Sequence, residues 1–248
     1  MSDLRGARFS DLVIMLHQEL DQHGIEHAFG GALALAYHVR QPRATNDIDL
    51  NVSADSRQMM DVFRALPADV RWSARSVRMA QVSGAVKLRW VRGIPVDLFF
   101  PVDDYHRVIL ARAEHYPFLG VSLPFVSATD LAVLKATFDR GRDVSGKQQD
   151  WVDIRRMLEA DSVDTQEAMR RIAQLAGATS PEIRQFMDVA TEVEEAASEP
   201  TDVDGHRLLA PAAHEGGPIN PARPVCGHWM PRARRICSRR PGHSGRHI

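Results

Sequence analysis

A chain of 248 residues, 44% hydrophobic and 25% charged, is long enough to bury one sizeable core with a smaller part beside it. Its formal net charge of -1 excludes a global electrostatic pull toward nucleic acid or membrane, though not a local one. No apolar run reaches spanning length and no basic start leads into an apolar core, so neither a transmembrane helix nor a signal peptide is expected and the cytoplasm is the expected location.

Residues 9–23 carry apolar side chains at helical spacing, and Gly24 is placed to end that helix. "IEHAFG" reads as a short strand and "GALALAYHV" as a helix that begins at the glycine pair. "NDIDLNV" alternates and predicts a strand; "DSRQMMDVFRAL" predicts a helix. "GAVKLRWV" and "IPVDLFF" predict two strands either side of the turn-like "RGI". "DDYHRVILARAE" looks helical, and "VSLPFV" is a short extended stretch. From Ser127 the pattern turns helical: Ser127-x-x-Asp130 is a capping-box signal, followed by "GKQQDWVDIRRMLEA" and amphipathic stretches over 164–176 and 181–197. Residues 198–224 are rich in Pro, Gly, Asp and Ala, a linker composition, and 225–248 form a basic tail. The expected division is 1–126, 127–197, 198–224 and 225–248.

Asp47 and Asp49 are two apart on an expected strand, so their carboxylates share one face about 7 Å apart along it. Two such groups repel unless a cation lies between them, and Mg²⁺ favours oxygen ligands of this kind. Asp97, inside a strongly apolar strand, offers a third carboxylate, and a charge there is costly unless paired or metal-bound. Gly30-Gly31 at a strand-to-helix junction lets backbone approach a ligand, and the following helix N-terminus favours phosphate. Together these point to a nucleoside triphosphate with Mg²⁺. Arg43 and Thr45 could add phosphate or ribose contacts. Taken singly each signal has a plainer reading: a turn for the glycines, a solvated edge for the aspartates.

Gly-Gly at a helix start, Asp-x-Asp on the next strand and a third Asp on a later strand resemble the DNA polymerase β-like nucleotidyltransferase fold. "FGGALALAYHVRQPRATNDIDL" is most similar to the AbiEii-type enzymes, which include the MenT toxins; the resemblance spans about residues 10–160. It implies an α+β fold, a small mixed sheet flanked by helices, followed by a helical half and the tail. It also implies transfer of a nucleotidyl group from an NTP to an acceptor hydroxyl. Asp47, Asp49 and Asp97 would then hold Mg²⁺, and Lys135 would contact the triphosphate. Arg140, Lys147, Asp150 and Asp153 match its second patch, although "DRGRDVSGKQQD" is longer than the compact spacing of the family. The toxin branch implies the tRNA 3′ end as acceptor and a cognate antitoxin as partner. A small-molecule or protein acceptor is an alternative, and an inactive nucleotide-binding module is a further one.

The only cysteines, Cys226 and Cys237, lie in the tail, and a reducing compartment argues against a disulfide there. Cys226, Cys237, His243 and His247, with His228 to spare, form a zinc-type ligand set without standard finger spacing. From Pro221 the tail holds seven arginines and no acid, with Trp229 among them, a composition suited to RNA phosphates or to an inert charged tail.

Overall fold

The computed structural model describes residues 7–55, 58–138 and 144–198, together with the backbone of two short strands at 229–230 and 235–236. The expected α+β fold is present. The first helix, α1 (Phe9–Gln22), buries Leu12, Val13, Leu16 and Leu20, the face its spacing predicts, and Gly24 follows with a φ of 66°. Next come β1 (His27–Phe29), α2 (Gly31–His38), β2 (Ile48–Val52) and α3 (Met59–Ala65). Then follow α4 (Ala74–Ser83), β3 (Ala85–Arg89), β4 (Pro95–Phe99) and α5 (Asp104–Ala111). The hairpin β5 (Glu114–Phe118) and β6 (Val121–Phe125) precedes α6 (Ala128–Thr137), α7 (Val144–Glu159), α8 (Thr165–Ala176) and α9 (Pro181–Ser198). Within the tail, β7 (Trp229–Met230) pairs with β8 (Arg235–Ile236).

The six strands form one mixed sheet in the order β3-β4-β2-β1-β6-β5. β2 runs parallel to β4 and antiparallel to β1, and its register sets Asp49 beside Asp97. One apolar core joins sheet and helices, from Leu12 of α1 and Phe29 of β1 to Ile154 of α7 and Phe186 of α9. No helix of the described residues is long and apolar enough to cross a membrane.

Two elements are not anticipated by the apolar pattern. α4 exposes most of its residues and buries only Val77 and Ala80, so few apolar side chains mark its inner face. Its ends are nonetheless marked, by the Ser73 cap and by Gly84 in the left-handed region. β5 is an edge strand containing Pro117 and shows no buried face. It also ends α5 sooner than "DDYHRVILARAE" suggests. At α6, Ser127 accepts the Asp130 backbone N–H, as the capping signal predicts. The Asp130 carboxylate accepts the Ser127 hydroxyl and also meets Arg112, Arg171 and Tyr105.

Candidate active site

Asp49 and Asp97 project from the same face of adjacent parallel strands, opposite one another in register. Neighbouring strands lie about 4.8 Å apart, so the backbones of these two residues are closer to each other than those of an i, i+2 pair along one strand. Asp47 precedes β2 on the same side, and its carboxylate and backbone carbonyl receive the Thr45 hydroxyl. All three aspartates line a cavity of about 750 Å³, together with Gly31, Arg43 and Lys135.

The glycine at the start of α2 is a steric requirement. Gly31 has a φ of 53°, and a Cβ there would fall 1.7 Å from Asp49 Oδ2. Only a residue with no side chain lets the carboxylate occupy that volume. The Gly30 N–H donates to Asp49 O at 2.9 Å, tying the turn to β2. α2 has no side-chain cap, so its first backbone N–H groups open beside the carboxylates rather than being closed off by a serine or aspartate.

Asp97 is electrostatically unsettled. Burial pushes its carboxyl above the ordinary range; Lys87 opposes that shift and Asp47 adds to it. Lys87 Nζ lies 3.0 Å from Asp97 Oδ2. Asp97 Oδ1 is buried with no hydrogen-bond partner among the described residues. A buried carboxylate oxygen without a donor costs about 1–3 kcal/mol. Among the described residues no three His, Cys, Asp or Glu side chains are yet drawn together tightly enough to hold an ion.

The opposite wall is fully paired. Lys135, on α6, donates from Nζ to Asp150 Oδ1 at 2.9 Å and to Asp153 Oδ2 at 2.8 Å. Arg43 closes on Asp153 with Nε 3.2 Å from Oδ1 and Nη2 3.2 Å from Oδ2. Gln149 Nε2 adds a bond to Asp153 Oδ1 at 3.0 Å. Burial alone would raise the Asp153 carboxyl, but Lys135 and then Arg43 hold it below its ordinary range. Lys147 is placed elsewhere: its Nζ donates to the carbonyls of Lys135 and Ala136, closing the end of α6. Asp150 lines the cavity and Asp153 is fully buried behind it. Arg140 lies outside the described residues, as do Cys226, His228, Cys237, His243 and His247.

Lys87 and the α4 residues Arg75, Ser76 and Met79 also line the cavity and were not singled out by the motifs. Lys87 had a readable signal: a tight hairpin about Arg92 sets it opposite Asp97, as the β3–β4 register shows.

The nucleotidyl transferase AbiEii toxin family, described as a type IV toxin–antitoxin system, matches residues 14–213. The chain belongs to the AbiEii family. It is a nucleotidyltransferase, and the family's place in toxin–antitoxin systems implies an antitoxin partner. Solved structures similar to this AbiEii chain include an antigenic nucleotidyltransferase-like protein from Paracoccidioides brasiliensis. It is 18% identical, with a TM-score of 0.45, covering 75% of this chain and 91% of that one. JHP933 from Helicobacter pylori is 10% identical, with a TM-score of 0.38, covering 79% and 92%. No curated protein matches the chain.

Proposed function

We propose that this cytoplasmic AbiEii enzyme transfers a nucleotidyl group from an NTP to a hydroxyl at the 3′ end of tRNA. Asp47, Asp49 and Asp97 would hold Mg²⁺. The observation that carries this reading is Asp97: a buried oxygen without a donor and a carboxyl raised by burial, in register with Asp49 at a cavity wall. A cation would supply the missing partner and relieve the repulsion among the three carboxylates. When bound, Mg²⁺ supplies charge neutralisation at the triphosphate.

The chain's own residues divide the remaining work. Gly31 admits the Asp49 carboxylate and leaves the α2 N-terminus free to face phosphate. Lys135 spends two of its three N–H donors on Asp150 and Asp153 and offers the third to a phosphate oxygen. Arg43 holds the loop before Asp47 by its bond to Asp153, so it positions the carboxylates and leaves the phosphates to Lys135. Asp97, in register with Asp49 at the cavity wall, would take the proton of the acceptor hydroxyl. The hydroxyl oxygen bonds to the α-phosphorus as the bond to pyrophosphate breaks.

The test uses the full chain, Mg²⁺, each α-labelled NTP in turn and total tRNA, with Asp49→Asn as control. Label on tRNA that vanishes in the variant is expected and names the base. Label appearing only on protein or on a small molecule would move the acceptor to those classes. No NTP-dependent shift of the melting temperature would leave an inactive fold.

A further inference from the structure

The cavity has a wall that the carboxylate chemistry does not use, built from α4 and β3. Between Asp69 and Asp97 the sequence carries Arg71, Arg75, Arg78, Lys87, Arg89 and Arg92 and no acid. In a chain of net charge -1 this is a concentrated local excess. The fold sets α4 against β3, so the helix and the strand of this basic run lie side by side. Arg71 forms an antiparallel bridge to Arg89, its N–H donating to the Arg89 carbonyl at 2.8 Å. Two like charges set directly opposite destabilise a pair, so the arrangement has a cost that an anion would offset. Arg75 and Arg78, three apart on α4, share a helix face. Lys87 and Arg89, two apart on β3, share a strand face.

Arg89 donates to the Gly93 carbonyl at 3.1 Å, whereas three of these arginines are unspent. Elsewhere on the surface Arg64, Arg107, Arg155 and Arg170 each close on a carboxylate. Arg71, Arg75 and Arg78 are exposed and meet none among the described residues. Large apolar side chains are exposed among them: Trp72 at 39% and Met79 at 51%. The Trp72 ring is steadied by Phe63, with centroids 5.4 Å apart. Arg75 and Met79 reach the cavity on the side of Asp97, so the basic face runs into the site where an acceptor hydroxyl would be activated.

We propose that this α4–β3 face is the docking surface for a single-stranded RNA acceptor. Its arginines meet successive phosphates and Trp72 stacks on an unpaired base. Guanidinium groups interleaved with an exposed aromatic ring are the combination that single strands require, whereas a duplex keeps its bases from a ring. The inference rests on the RNA-acceptor reading above, and adds where the strand lies before its 3′ end enters the cavity.

The test measures fluorescence anisotropy of a labelled oligoribonucleotide of about a dozen nucleotides with the full chain across a salt series. Arg71→Gln/Arg78→Gln should weaken binding about tenfold or more and flatten the slope of log K against log[salt] by about 1.4, two phosphate contacts on a single strand. Trp72→Ala should weaken binding roughly tenfold with the slope kept, and Trp72→Phe should restore most of it. None of these three positions lines the cavity, so the melting shift given by Mg²⁺ and NTP should be unchanged, which also reports that each variant folds. A double variant that keeps the wild-type slope would place the strand elsewhere, the basic tail included, and overturn the proposal. Failure of the wild-type chain to bind the oligomer, with the NTP shift intact, would overturn it together with the RNA reading. Binding that falls as expected while no RNA ever takes label would sustain the surface and sink the reading of RNA as acceptor.

Discussion

Asp97 and Asp153 are carboxylates on opposite walls of the same site, and their surroundings push them in opposite directions. Asp97 has Lys87 on one oxygen and, among the described residues, no donor on the other, and burial raises its carboxyl. Asp153 receives Lys135, Arg43 and Gln149, and the two cations hold its carboxyl low against burial. A fully partnered buried charge is a scaffold: its donors are spent on holding α6, α7 and the loop before β2 together. A partly partnered one is poised for something that arrives later. In the proposed mechanism, the difference separates the part of the site that is built from the part that would react.

The largest effect should fall on the reacting side. Asp97→Asn should cut nucleotidyl transfer by about three orders of magnitude, the equivalent of several kcal/mol of electrostatic stabilisation. The same change should raise the stability of the ligand-free protein at neutral pH by about 1 kcal/mol, because it removes a desolvated charge. The sign follows from the raised carboxyl: the charged form is disfavoured in the fold, so the gain shrinks as pH falls and wild-type Asp97 takes up its proton. Urea midpoints across pH check this. A variant less stable than wild type at pH 7 would show that Asp97 is already satisfied.

On the built side the order reverses. Asp153→Ala should destabilise by about 3 kcal/mol, since it strands Arg43 and leaves buried Lys135 with Asp150 alone. The pH dependence also reverses. The Asp153 carboxyl is lower in the fold than in the unfolded chain, so its contribution is complete above about pH 3.9 and is lost as pH falls from there through the folded value. Wild type should therefore lose more stability than Asp153→Asn between about pH 5 and pH 3. Parallel profiles for the two would remove Asp153 from the network.

The same contrast explains what could be read in the sequence. Asp47, Asp49 and the glycine pair were legible because strand alternation and a strand-to-helix junction are local patterns, and the structure places Asp47, Asp49 and Gly31 around one cavity. The helical half was legible from its spacing and from the Ser127 cap. Lys147 was legible only as a charge near other charges. That it would turn to the carbonyls of Lys135 and Ala136 depends on how α7 packs on α6, which no local pattern encodes. α4 was hidden for a related reason: a helix that buries only Val77 and Ala80 is polar on average and has few apolar side chains to mark it, yet it supplies a wall of the cavity. Arg43 reads as a phosphate ligand from its neighbours in sequence, while its partner in the fold is Asp153, 110 residues away.

Gly31 sharpens the comparison at a smaller scale. Gly31→Ala and Gly93→Ala both place a Cβ at positive φ, 53° and 75°, so both carry backbone strain of about 1 kcal/mol. A Cβ at Gly93 meets nothing within 4 Å, whereas at Gly31 it would overlap the Asp49 carboxylate. Gly31→Ala should therefore cost about 2 kcal/mol and abolish transfer, while Gly93→Ala costs about half as much and leaves transfer intact. Equal losses of stability, by thermal melts, would mean that the carboxylate can move aside.

The smallest expected effect belongs to Lys147. Its ammonium donates to two carbonyls at the end of α6, Lys135 O at 3.2 Å and Ala136 O at 2.9 Å, which a helix terminus otherwise leaves unsatisfied. Lys147→Met keeps the length of the side chain and removes the donors, so stability should fall by about 1 kcal/mol. The KM for NTP should stay within about twofold, because uniform loss of a phosphate contact would raise it and no such contact is being removed. A tenfold rise in KM at unchanged stability would mean that Lys147 leaves α6 to meet the triphosphate when NTP binds. It would then belong with Asp97 among the groups poised for a ligand, and the boundary between the built wall and the reacting one would run through α7.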